Sequence, residues 1–147
     1  MSARPPLPDG LVAFVKRECP TCELVVPVLA ELRERAGLTV IVQDDPAFPR
    51  GLASRHDADL ALSWHHGIEA VPTLLRVVDG CEKERAVGWQ RGEWEVLTGV
   101  RGLGAGLPDW RPGCGSLSVD PDLLPALRVR FASDRLHARR VELAERE

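Results

Sequence analysis

Two cysteines three residues apart, Cys19 and Cys22, enclose a proline and a threonine in the run Glu18-Cys19-Pro20-Thr21-Cys22. Thiols at this spacing either close a small redox disulfide or supply half of a zinc site. The zinc reading needs a second pair at ligand spacing. Cys81 and Cys114 stand alone, and His65-His66 is not spaced with either, so no metal is expected. The redox reading needs a thiolate, and a sulfur at the start of a helix obtains one. Unpaired N–H groups and the macrodipole there favour negative charge and bring a cysteine pKa from about 8.5 to roughly 3.5–7.5. Cys19 is then the nucleophile, and Cys22, almost one turn later on the same face, is the resolving thiol.

The flanking sequence provides elements to hold such a pair. Leu11 to Val15 is a short apolar run suited to a buried strand. After Cys22, the residues Leu24, Val25, Val28, Leu29 and Leu32 recur at spacings of three and four, which predicts a helix with one apolar face. Pro20 lies in its first turn, Pro27 bends it, and Gly37 ends it. Leu38 to Val42 is a second buried strand, followed by the acidic exit Asp44-Asp45-Pro46. Asp57 to His66 reads as a short helix closed by Gly67. Pro72 to Val78 and Glu84 to Val87 are strands joined at Asp79-Gly80, a hairpin signal. Arg91 to Val100 is a further helix ending at Gly102. The predicted order is β-α-β-α-β-β-α.

At Val71-Pro72-Thr73-Leu74-Leu75 the chain resembles the thioredoxin superfamily. The resemblance covers about residues 11–103: the apolar strand, the Cys-Pro-Thr-Cys centre, the alternating elements, the Val-Pro-Thr strand start, the hairpin, and Val87-Gly88 before the last helix. It implies an α/β, thioredoxin-like fold with a central mixed sheet flanked by helices. It also implies that Pro72 is cis and lies beside the dithiol, and that Val71 offers backbone groups to an extended substrate segment, a small β-augmentation. The activity implied is thiol–disulfide exchange at Cys19 and Cys22, without an organic cofactor. The partners implied are a disulfide-containing protein or small thiol and an external thiol reductant.

Two positions differ from many thioredoxins. Glu18 occupies the place of a tryptophan directly before the first cysteine, and Ala13 that of a buried acid six residues before it. The Cys-Pro-x-Cys centre is closer to glutaredoxins. Glu18 should raise the Cys19 pKa, whereas Lys16 and Arg17 should lower it. Thr21 and Pro20 complete the modulating residues. Trp89, next to the Val-Gly turn, is expected to supply the apolar rim of the site, with packing under the last helix as its alternative. Trp64 and Trp94 read as core, and His65 and His66 as helix-end caps. Cys81 is expected to be an exposed spectator on the hairpin.

The 147 residues are divided by composition into a Pro-rich lead-in (1–10), the thioredoxin-like domain (11–103), and a Gly/Pro-rich linker with a terminal helix (104–147). On that helix Leu124, Leu127 and Phe131 share a face, which packs on the domain or contacts a second subunit as a homodimer. Apolar residues at 44% and charged residues at 28% fit a globular protein. A net charge of −3 without a basic stripe excludes a dedicated nucleic-acid binder. No apolar run approaches the ~20 residues of a membrane span. A cytoplasmic protein is expected. Cys114, flanked by glycines, reads as an incidental loop cysteine, with an additional resolving thiol that reaches back to Cys19 as its alternative. Two other functions stay open: a thioredoxin-like binding module with idle cysteines, and a redox sensor in which Cys114 bonds Cys19 or Cys22.

Overall fold

A computed structural model gives the fold and describes residues 5–132. In chain order its elements are β1 (Gly10–Val15), α1 (Pro20–Leu24), α2 (Val26–Ala36), β2 (Thr39–Val42), β3 (Arg55–His56), α3 (Ala61–His65), β4 (Ala70–Val71), β5 (Thr73–Val78), β6 (Cys81–Val87), β7 (Trp89–Gln90), α4 (Arg91–Thr98), β8 (Trp110–Arg111), β9 (Cys114–Gly115), a 3-10 turn (Leu117–Val119) and α5 (Leu124–Arg130). The central sheet has the order β3-β2-β1-β5-β6. β1 pairs in parallel with β2, and β2 with β3, whereas β5 runs antiparallel to both β1 and β6. This is the mixed sheet of a thioredoxin-like fold.

Leu11 to Val15 are all buried, as expected of a strand with both faces covered. The main core joins them to Val28, Leu29 and Leu32 of α2, Val40 and Ile41 of β2, Leu74 and Leu75 of β5, and Trp94 and Leu97 of α4. The β5–β6 hairpin turns at Asp79 and Gly80, both at positive φ (52° and 77°), as a two-residue turn with matching twist requires. A smaller core joins Leu60 and Trp64 to Leu124, Leu127 and Phe131, so α5 packs beside α3. The expected tail beyond residue 132 lies outside the described residues.

Several boundaries differ from expectation. Pro27 breaks its helix: α1 ends at Leu24, and α2 restarts with Val26-Pro27. A proline there has no N–H to give to the turn before it and crowds the carbonyl four residues back. The predicted helix from Asp57 shrinks to Ala61–His65, because the Asp57 carboxylate caps it from a turn by accepting the N–H groups of Leu62 (3.0 Å) and Ser63 (2.8 Å). The last helix of the sheet domain stops at Thr98, with Gly99 at φ 73° as its cap, and β6 begins already at Cys81.

The Gly/Pro-rich stretch after residue 103, expected from its composition to be a linker, is paired to the domain along its length. β8 lies antiparallel to β7, and β9 antiparallel to β4. Arg91 organises the first part: its guanidinium donates to the carbonyls of Leu103 (2.8 Å), Gly104 (2.7 Å) and Leu107 (2.8 Å) and pairs with Asp109. A buried polar network holds the second part. Gln43 Nε2 donates to the hydroxyls of Ser63 (2.9 Å) and Ser116 (2.7 Å), while its Oε1 accepts the Leu117 N–H (2.9 Å).

Candidate active site

β1 delivers the chain to the sulfurs. Beyond its end, Asp44 holds the next turn by accepting the N–H of Arg17 (2.8 Å) and of Glu18 (3.1 Å). Burial raises the Asp44 pKa, but the N–H groups of Arg17, Glu18 and Asp45 overcome it, and the carboxyl is held below its usual value. Cys19 is the N-cap of α1, in extended conformation (φ −156°, ψ 107°), and Pro20 opens the helix behind it. Its Sγ accepts the Cys22 N–H at 3.2 Å. The capping acceptor supplied elsewhere by a serine or aspartate oxygen is here a sulfur.

Cys19 is 2% exposed and Cys22 is fully buried. All the described cysteines are free thiols. The Cys19 pKa falls from 9.0 to about 6. The Cys22 thiol contributes most to that fall, burial opposes it, and hydrogen bonding from Cys114 and the N–H groups of Cys22 and Thr21 adds to it. Burial, and then the Cys19 sulfur, push Cys22 far up. One proton is thus shared unequally: Cys19 is the thiolate of the pair and Cys22 its donor.

The Val71–Pro72 bond is cis, and the Cys19 Sγ lies 3.5 Å from the Val71 carbonyl oxygen. Dithiol and prolyl turn are therefore together. Thr21 is buried and donates from Oγ1 to the Pro112 carbonyl at 2.6 Å, so it ties the centre to the later stretch. Arg17 pairs with Asp45 (3.3 Å), and the leading causes of the Cys19 shift are hydrogen bonds and burial. Trp89 does not form a rim. It is fully buried, donates from Nε1 to the Pro108 carbonyl (2.7 Å), and packs edge-on against Trp94 at 5.1 Å. The loop 103–109 lies over it and removes it from any substrate.

For Cys114 the sequence suggested a reach back to Cys19 but not the strand that places it. Cys114 stands opposite Val71 in the β4–β9 ladder, with its side chain at the Cys19 sulfur. Pro72 has no N–H, so this pairing runs through Val71 itself: the N–H and carbonyl of Val71 exchange hydrogen bonds with Cys114. Lys16 Nζ donates to the neighbouring Gly115 carbonyl at 2.6 Å. The only signal was the pair of flanking glycines. At Gly113 a Cβ would lie 2.7 Å from the Val71 oxygen, and one at Gly88 would lie 3.0 Å from the Gly113 nitrogen. Bare backbone is what lets this strand approach. Cys81 lies exposed at the start of β6.

Among the described residues no cluster of three or more His, Cys, Asp or Glu could hold a metal ion, and no helix is long and apolar enough to cross a membrane. None of the curated proteins matches the chain. Residues 9–88, over half of the chain, match the family model described as TraF, F plasmid transfer operon protein.

Proposed function

The chain belongs to the TraF family, F plasmid transfer operon protein, and from that premise we propose that it is a thioredoxin-like thiol–disulfide oxidoreductase working through Cys19 and Cys22. The Cys19 thiolate attacks one sulfur of a substrate disulfide, forms a mixed disulfide and expels the other sulfur as a thiolate. Cys22 then loses its proton and attacks the Cys19 Sγ, which releases the second substrate thiol. Two electrons pass from the dithiol to the substrate, and an external thiol reductant restores the pair.

The observation that carries this reading is the Cys19 sulfur at the mouth of α1, with a pKa of about 6, next to the cis Val71–Pro72 bond. At neutral pH such a sulfur is mostly thiolate, and a thiol with a pKa near ambient pH attacks disulfides best. The same feature disfavours an idle binding module, whose cysteines need no depressed pKa. The test is reduction of a small disulfide such as hydroxyethyl disulfide with dithiothreitol as electron source. We expect catalysis by the intact chain and its loss, by at least 100-fold, in Cys19→Ser. Activity that persists in Cys19→Ser refutes the nucleophile assignment. A chain in which Cys22 and Cys114 are both serine should instead accumulate the mixed disulfide.

A further inference from the structure

We propose that Cys114 is a second resolving thiol for Cys19, carried on a strand that occupies the place of a docked substrate, and that the disulfides it serves are small ones with no extended peptide to seat. The inference rests on the dithiol reading above and deepens it.

Three observations converge on it. The backbone groups of Val71, which a docked peptide strand would use, are both taken by Cys114. The strand is held on each side of that pair, by Thr21 to Pro112 (2.6 Å) and Lys16 to Gly115 (2.6 Å). Finally, the two thiols that face Cys19 differ in access to a base. Cys22 is fully buried, and the shift of its thiol is far upward. Cys114 is half-buried; burial and the Cys19 sulfur raise its thiol, but the Lys16 ammonium acts in the opposite direction. Its proton is the easier one to lose to solvent.

With glutathione disulfide the steps balance without another reagent. Cys19 Sγ⁻ attacks one sulfur, breaks the S–S bond and releases one glutathione thiolate. Cys114, having given its proton to solvent, attacks the Cys19 Sγ of the mixed disulfide and releases the second. The products are a Cys19–Cys114 disulfide and two glutathione thiols, with two electrons transferred from the chain.

The experiment uses the full chain in a Cys81→Ser background, so that the exposed thiol takes no label. Cys22→Ser, treated with glutathione disulfide, should release two glutathione per chain and lose two hydrogens, with peptides linked through Cys19 and Cys114. The double variant Cys22→Ser/Cys114→Ser should stop at one glutathione released and one bound to Cys19. The same treatment of the chain with Cys22 intact should yield the Cys19–Cys114 link alongside Cys19–Cys22. The inference is overturned if Cys22→Ser stops as the glutathione adduct with Cys114 open to alkylation, or if the chain with Cys22 intact yields Cys19–Cys22 alone; the dithiol reading survives both results. A Cys19 inert to glutathione disulfide in every variant overturns both.

Discussion

At Cys19 the thiolate is made chiefly by hydrogen bonds. The sulfur takes the Cys22 N–H at 3.2 Å as a helix cap and is further stabilised by the thiols of Cys22 and Cys114. Hydrogen bonding to the charged form outweighs the cost of burial. Alkylation of Cys19 by iodoacetamide should therefore rise with pH to a midpoint near 6 and level off above about 7. Cys22→Ala should move that midpoint upward more than Cys114→Ala, in the order of their contributions. The same shift has a sign for stability. The unfolded thiol keeps its proton up to about 9.0, whereas the folded one releases it near 6. The reduced chain should thus resist denaturant better as pH rises from 6 towards 9, a gain lost as pH falls back through 6. An identical trend in Cys19→Ser would count against this.

At the scale of elements, β9 decides who reaches the sulfurs, and its closeness depends on Gly113 and Gly88. Gly113→Ala places a methyl group 2.7 Å from the Val71 oxygen, so the strand must lift. The expected outcome is faster Cys19 alkylation, by several-fold or more, and faster amide exchange at Cys114, read by hydrogen-exchange mass spectrometry. Unchanged protection would show that β9 is not what covers Cys19. Gln43→Ala strips partners from the buried Ser63 and Ser116 hydroxyls and the Leu117 N–H. It should cost about 1–3 kcal/mol in urea unfolding. Periodicity made β1, α2, β2 and β5 legible, since each buries an apolar set, while the mostly exposed β6 followed from the Asp79-Gly80 turn. The helix break at Pro27 and the Asp57 cap were written in single residues, whose effect depends on what lies three or four positions away. The Gly104–Ser116 stretch gave a composition and no period, because its hydrogen bonds are made to distant strands and to one arginine. For the same reason Cys19, Cys22, Val71 and Pro72 were visible as a site, whereas Cys114 could be read only as a loop thiol able to reach Cys19, its pairing with Val71 being tertiary.

Across the whole molecule, Trp89 joins the sheet domain to the stretch that follows it. Its ring is fully buried between Trp94 and Gly104, and its Nε1 is bound to Pro108. Trp89→Ala should destabilise the fold by about 3–5 kcal/mol, the range for deleting a buried aromatic. For a domain this size that is a large share of its stability, and the midpoint of a urea titration measures it. The family match ends at Gly88, just before this tryptophan, so the residues that fill the Val71 edge come from outside the matched stretch. Filling β4 from within also has a colloidal consequence. A short strand with free N–H and carbonyl groups invites a neighbouring molecule to add its own and continue the ladder. Here the chain completes that ladder with its own backbone, so crowded molecules find no sticky seam at β4 on which to polymerise.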